Sequence, residues 1–591
     1  MDAHHGRSMT ASHPSPRAEV GIACVAAAVA VAVAVWACGG LDILAGRPLK
    51  FEGDAILHAV VATIAVDDEW TWHGSRFGAP GGFPLAAFGL QLPVETALMK
   101  LVSFFTDDPV TVLNGTWLTL IGIAAIDAYA AFRLLGLGRM ASLVCGALFA
   151  ASPHAFLRNV THLNLHAAFV PVPTALAVLV ASGGVAGLGQ RTFLAAGIAT
   201  AVAALGYVYY PFFYAILFVA ALLVAFVRCR RDSLRRGVAC LTVVLMAGAI
   251  NLAPTVIAWV RDGRPASLDY KQPGEADTFG LRIRDLVMPS SASRIPPLAA
   301  LGRRVEAVAW PLRGESRHAK LGLAATIGFL IALAALVGWR PPMDDRGRVA
   351  LNAAGCLIIA ILIVAVPGGL GSIFNAFVTP QFRCYNRVVP LVSFLCLAAL
   401  GTWLSASLAR MPRRAAVAVW FGLLACGLFE QDVAASIRSR AAETSLERSS
   451  LGEFVAEVEE VLPDGGSVWM LPVTAFPVDA GSGTMREFDH AKPILFSKRL
   501  RWSWPSFGST QERLSAEIGD GTTTASIERG SDAGYDAVWL DGAGDASVVT
   551  AAANAVVAAG GRLVRESADG RYRVYALAKG PTDMRSQEAG R

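Results

Sequence analysis

The feature that most constrains this chain is a recurrence of long apolar runs. Each is roughly 17–22 residues, the length that carries a helix across a bilayer. Lipid offers no partner to free backbone N–H and C=O groups, so such segments must be helical. The composition agrees: 54% of the 591 residues are hydrophobic and 16% are charged, against about 25% charged in soluble domains. The sequence predicts a polytopic α-helical membrane protein with about eleven spans. They lie at 19–39, 110–132, 139–153, 168–184, 192–207, 212–228, 237–258, 319–338, 349–366, 388–408 and 413–430. The residues around Tyr207–Pro211 leave open whether two of these are one broken element.

Arginines in short connectors set the orientation. Arg133 and Arg139 flank one connector, and Arg228, Arg230, Arg231, Arg235 and Arg236 crowd another. Arg340, Arg346 and Arg348 occupy a third, and Arg410, Arg413 and Arg414 a fourth. With residues 1–18 as a cytoplasmic tail, all four connectors fall on the cytoplasmic side of a bacterial inner membrane. The transmembrane domain is then 19–430, with outer loops 40–109, 154–167, 259–318 and 367–387. Beyond 431 the long apolar runs stop and charge rises. Short β-like runs at Ser467–Leu471, Asp536–Leu540, Arg562–Arg565 and Tyr572–Leu577, with a helix-like Ser547–Ala559 among them, predict a small α/β domain over 431–591. By the same parity it is extracytoplasmic, in the periplasm.

Several function classes drop out. The net charge of +5 is small, and no basic cluster is interleaved with aromatics as nucleic-acid binding requires. The nine cysteines form no CxxC and read as small core residues. There is no Walker loop, Gly-x-Ser-x-Gly elbow or HExxH.

Three short stretches carry ionisable groups. FEGDAILH (51–58) places Glu52, Asp54 and His58 just after the first apolar run. On a helix, Asp54 and His58 share a face; a carboxylate there serves as general base, metal ligand or interfacial polar group. SPHAFLRNVTHLNLH (152–166) spaces His154, Arg158, His162 and His166 four apart. If helical, this is a stripe, read either as a wet interfacial face, as a phosphate contact or as a metal site. It is too long to converge three imidazoles on one zinc. QFRCYNR (381–387) sets Arg383 and Arg387 four apart beside Asn386. Guanidiniums suit phosphate oxygens, and also snorkel at interfaces. Asp127 lies inside a predicted span, where carboxylates are often functional. Asn114-Gly115-Thr116 and Asn159-Val160-Thr161 match the glycosylation pattern.

These stretches belong to an ordered set. GDAILH is followed by RFGAPGGFPL (76–85), HAFLRNVTHLNLH, Glu315 with LGL (321–323), GGLGSIFN (368–375) and QFRCYNR. In the tail come WMLPVTAFP (469–477), Met485–His490 and LRWSW (500–504). The set resembles a family of bacterial multi-span proteins related to the GT-C class of glycosyltransferases, which use polyprenyl-phosphate-linked sugars. The resemblance implies inverting transfer of a sugar to a cell-envelope glycan or lipid acceptor on the outer membrane face. It makes Asp54 the catalytic or metal-binding acid. Arg383, Arg387, Arg158 and His162 would bind the donor phosphate, with His58, Asn386 and Glu52 in support. A divalent metal cofactor is left open, its ligands unknown: relatives carry a second acid near 88–93, where this chain reads FGLQLP, and Glu95 is displaced from that place. The alternatives are a transporter or flippase of a lipid-linked intermediate, a phosphoglycerol-type transferase, and a non-catalytic assembly subunit.

Overall fold

The computed structural model describes residues 16–68, 70, 72–90, 92–308, 314–430, 441–478 and 482–578. Most of the predicted tail 1–18 and parts of 431–591 lie outside these residues. Helices occupy all eleven predicted spans, but their lengths differ. Among the described residues, seven helical stretches are long and apolar enough to cross a membrane: Pro16–Ala37, Pro109–Leu134, Arg139–Leu165, Tyr209–Val227, Arg231–Asp262, Asp345–Ala365 and Tyr385–Leu408. The chain is a multi-pass membrane protein, and four of the eleven predicted spans fall outside this group of seven. Pro171–Ser182 has 12 residues, Gln190–Ala204 has 15 and Leu323–Leu336 has 14. Arg413–Glu430 reaches 18 but bears Arg413, Arg414 and Glu430 within it. Tyr207 and Val208 separate two helices, Gln190–Ala204 and Tyr209–Val227.

Small residues let the helices approach. On Leu323–Leu336, a Cβ at Gly328 would run into the Cys396 carbonyl oxygen of the Val389–Leu408 helix. Phe132 stacks on Phe394 of the same helix, with ring centroids 4.6 Å apart. That helix is buried continuously from Val389 to Gly401 and forms the axis of the bundle.

Two of the predicted outer loops fold back into protein. Residues 54–67 form a helix whose side chains from Ala55 to Ala65 are all buried. The stretch after Ala150 breaks into Pro153–Arg158 and a 3-10 segment, Asn159–Leu165, and folds back into the bundle. His154 and Arg158 are each 2% exposed, which overturns the reading of a solvated face. Asn114 and Asn159 are buried too, so neither glycosylation pattern is presented. Asp127 caps a helix: its carboxylate accepts the Val172 N–H at 3.1 Å.

The C-terminal part holds a five-stranded sheet of β1 (Ser467–Leu471), β2 (Arg501–Trp502), β3 (Ala537–Asp541), β4 (Arg562–Glu566) and β5 (Tyr572–Ala576), in the order β2-β1-β3-β5-β4. β2, β1 and β3 run parallel, and β5 is antiparallel to both its neighbours. Four strands fall where the apolar runs predict; β2 is only two residues long and gives no pattern to read. Side chains alternate between two cores, as the strand period requires. Val468, Met470, Trp502 and Trp539 join the core shared with the helical bundle. Trp469, Leu471, Val538 and Leu540 join a second core under helices of the C-terminal part.

The first long loop completes this sheet. Trp502 N donates to Arg76 O at 2.8 Å, Ala79 N to Trp502 O at 2.8 Å, and Gly78 N to Trp504 O at 3.0 Å. Residues 76–79 thus run along the free edge of β2 and cover it, a usual way of protecting an edge. Gly78 has φ +65°, and a Cβ there would sit 2.8 Å from Gly82 O, so this turn requires glycine. The pairing joins two stretches quoted above, RFGAPGGFPL and LRWSW.

Gly328→Val should lower stability by about 1–3 kcal/mol through overpacking, read as a lower Tm of the purified protein in detergent. Gly338→Ala, where a Cβ meets nothing within 4 Å but φ is +96°, should cost less, about 1 kcal/mol.

Candidate active site

One end of the bundle encloses a cavity of about 810 Å³. Its wall takes Asp54 and His58 from the first loop, His162 and Asn164 from the second, and Lys271, Glu275 and Glu315 from the third. Gln381, Arg383 and Arg387 come from the fourth, and Pro477, Val478, Glu487 and Phe488 from the C-terminal part. Leu252, Thr255 and Trp259, on the long Arg231–Asp262 helix, supply an apolar side.

Asp54 is the first residue of its helix, and its Oδ2 lies 3.2 Å from His162 Nε2. Its side chain is 40% exposed, because it opens into the cavity while protein surrounds it on most sides. Burial pushes the carboxyl pKa up, but the hydrogen bond and charge of His162, with His58 and Arg387 nearby, more than offset this. The net shift is downward, so Asp54 is ionised at neutral pH. His58, one helical turn on, is fully enclosed. Burial pushes its pKa down to about 4, against a smaller upward pull from Asp54, so the imidazole is neutral.

His162 reaches Asp54 because the predicted stripe is broken. The helix ends at Arg158, Asn159 takes φ +32°, and His162 itself has φ −133°. The four stripe residues therefore have different main partners, although Arg158 Nη1 also lies 3.4 Å from His162 Nε2. His154 Nε2 is 3.2 Å from Leu165 O. His166 Nε2 lies 2.7 Å from Glu95 Oε1. Arg158 Nη1 donates to Glu315 Oε2 at 2.7 Å, and its Nη2 to Asn386 Oδ1 at 3.3 Å. Of the four, only His162 lines this cavity.

Glu315 is the carboxylate that organises the cations. Arg387 Nη2 donates to its Oε1 at 3.2 Å, opposite Arg158. Burial alone would raise the Glu315 pKa, but Arg387, Arg158 and His162 hold it well below the usual range. Arg387 also donates to Tyr207 OH at 3.3 Å and lies 5.0 Å from the Tyr209 ring centroid. Arg383 Nη1 donates to Glu275 Oε1 at 2.5 Å and sits over the Tyr270 and Phe279 rings. The loop bearing both arginines is fixed by Tyr209 OH, which accepts from Arg383 N and Cys384 N at 3.1 and 3.3 Å.

The wall is therefore not the unpaired positive mouth that the arginine spacing predicts. Each of the two lining guanidiniums has a carboxylate partner. Lys271 differs: its Nζ donates to the Gln381 amide oxygen at 3.0 Å, and among the described residues no carboxylate lies within ion-pair distance. Burial, reinforced by Arg383 and Arg387, pushes its pKa down to about 8. Sequence reasoning missed Lys271, and a lone lysine in the long third loop gives no signal. Glu315 and the Tyr207–Tyr210 run were visible as residues but not as partners.

Two expected supports sit outside the cavity. Glu52 Oε2 pairs with Arg486 of the C-terminal part at 2.8 Å. Asn386 is 1% exposed and holds Arg158. Among the described residues, no group of three or more His, Cys, Asp or Glu is placed to hold an ion. Glu95, the displaced acid, has no exposure and is held by His166, so it forms no pair with Asp54 in the cavity wall.

No protein-family model matches the chain, and no curated protein matches it by sequence. Among solved structures, it is similar to the arabinofuranosyltransferase AftD from Mycobacteria, with 15% identity and TM-score 0.49, over 96% of this chain. ArnT from Cupriavidus metallidurans matches with 14% identity and TM-score 0.47, over 95% of this chain and 100% of its own. The Archaeoglobus fulgidus oligosaccharyltransferase matches with 11% identity and TM-score 0.42, over 96% of this chain and 75% of its own. This chain spans 40% of the arabinofuranosyltransferase's length.

Glu315→Ala should leave Arg158, itself 3% exposed, as a buried unpaired charge at a cost of about 3–5 kcal/mol. Glu275→Ala, beside the less buried Arg383, should cost less. Thermal unfolding of both variants checks the order.

Proposed function

We propose that this chain is a membrane glycosyltransferase. It moves a sugar from a polyprenyl-phosphate-linked donor to a glycan or lipid acceptor of the cell envelope, on the outer face of the bacterial inner membrane. In this reading 19–430 is the transmembrane domain, 1–18 is cytoplasmic and 431–591 is periplasmic. One observation supports it most: Asp54, His162, Lys271, Arg383 and Arg387, drawn from four separate loops, line a single cavity. An apolar flank of the same cavity belongs to a span-length helix, which suits a ligand that is part anion and part lipid. The ordered stretches that resemble the GT-C-related family contribute most of these residues.

The chemistry follows from the groups present. The acceptor hydroxyl oxygen attacks the sugar C1 from the face opposite the phosphate, forming the new C–O bond with inversion. The bond from C1 to the phosphate oxygen breaks, and its electron pair leaves with the polyprenyl phosphate. The hydroxyl proton passes to the Asp54 carboxylate. His162, 3.2 Å from that carboxylate, orients it. The leaving phosphate gains negative charge and needs cations more than a proton. Lys271 is the cation best placed to answer it, since it gives up only an amide contact. Arg383 and Arg387 can exchange their carboxylates for phosphate oxygens, and otherwise keep the loop rigid. Asn386 supports through Arg158, and Glu52 from outside the cavity.

Asp54→Asn should lower kcat about 10²–10⁴-fold with little change in Tm, measured as sugar transfer from a polyprenyl-phosphate donor in nanodiscs. Wild-type rates in that variant would end the proposal. Lys271 loses its charge as pH rises through about 8, so kcat/KM for the anionic donor should fall across that range. Lys271→Met should lower kcat/KM about tenfold, the effect of 1.4 kcal/mol, and remove that alkaline limb from the pH profile.

A further inference from the structure

We propose that the C-terminal part is the positioning element for Asp54: it clamps the Asp54–Asp67 helix at both ends, with Glu52 and Arg486 as positioning residues. This rests on the role given to Asp54 above.

The near end is held through Phe51, three residues before Asp54 and 4% exposed. Lys492 Nζ lies 5.2 Å from the centroid of the Phe51 ring, and the Phe496 ring packs beside it at 6.2 Å. Lys492 cannot drift. It is 2% exposed and is bound by Glu447 at 2.6 Å and Asp489 at 2.8 Å. Asp489 is held by Arg571 at 3.2 Å, and Arg571 by Asp541, the last residue of β3, at 2.9 Å. A continuous chain of charges therefore runs from the sheet to the residue beside Glu52. Arg486 Nη1 then takes the Glu52 carboxylate at 2.8 Å.

The far end is held by a second route. The Asp67 carboxylate is paired with the Arg76 guanidinium. Arg76 is itself fixed to the C-terminal part: its carbonyl accepts from Trp502 N at 2.8 Å, and its Nη1 donates to Ile494 O at 3.4 Å. Between the clamps the helix is buried throughout from Ala55 to Ala65, so it moves as a rod. Its partners across the cavity, His162, Lys271 and Arg387, stand on loops of the helical bundle. The Asp54–His162 distance is thus set by how the C-terminal part docks. The segment that grips Glu52 also supplies Glu487 and Phe488 to the cavity wall, so a shift of this segment alters the wall and the acid together.

Glu52 and Arg486 are the adjustable contact. The Arg486 side chain is 67% exposed, and exposed ion pairs contribute little to stability. Reversing one charge should leave the fold intact while displacing the start of the helix. Displacements near 1 Å cost about 10²-fold in rate.

The test uses full-length protein in nanodiscs, with Glu52→Arg, Arg486→Glu, the double exchange, and Arg562→Glu on the distant strand β4 as control. Each single reversal should lower kcat about tenfold with donor KM within about twofold, the double exchange should restore kcat to within about twofold, and the control should match wild type. Amide hydrogen exchange over residues 57–67 should rise in each single variant and return in the double. Unchanged exchange in the single variants, or loss in the double no smaller than in the singles, overturns the clamp. Exchange that responds in this way while the wild type transfers no sugar supports the clamp and overturns the proposed function.

Discussion

Two guanidiniums from distant loops share one carboxylate, and the rest of the site depends on that arrangement. Glu315 takes Arg158 at 2.7 Å and Arg387 at 3.2 Å. Each arginine keeps its charge, so without a partner it would be a buried unpaired cation at a large cost in stability. The shared acid therefore ties the second, third and fourth loops into one body. The break at Asn159, next to Arg158, turns His162 towards Asp54. Glu315 thus holds the arginine at the root of the segment that carries the imidazole.

Around this frame the two halves of the chain divide the work. The helical bundle supplies the cations and an apolar flank. The C-terminal part adds Pro477, Val478, Glu487 and Phe488 to the cavity wall, from loops outside its sheet. Alternation along β1 and β3 makes the division possible: one set of side chains merges with the bundle core, and the other builds an independent core beneath it. The loops beside the sheet are joined to the rest of the chain by aromatic contacts such as Phe88 against Phe476 at 4.9 Å.

Much of this was legible in the sequence. The apolar periodicity located every long helix of the bundle, because burial in lipid and burial in protein demand the same residues. That equivalence also leaves the span count open: the Pro171–Ser182 and Leu323–Leu336 helices are apolar but only 12 and 14 residues long. Asp54, His162, Arg383 and Arg387 were all marked by their chemistry. Their partners were not, since Glu315 and Glu275 are single acids in a charged loop and no local pattern shows which arginine each will meet. The stripe from His154 to His166 failed because spacing of four carries meaning only on an unbroken helix, and the Asn159 backbone breaks it. Lys271 stayed hidden because its isolation from carboxylates is a property of the fold.

The strand-like pairing of residues 76–79 with β2 reaches across more than 400 positions of the chain; Arg501, for instance, bonds the Pro80 carbonyl. A ribosome releases the first of these partners long before it makes the second. The early loop must therefore wait, its hydrogen-bonding edge unpaired, until most of the polypeptide has been made. A chain stopped short of β2 would carry every residue of the cavity wall and still lack the strand that pins the first loop against the C-terminal part.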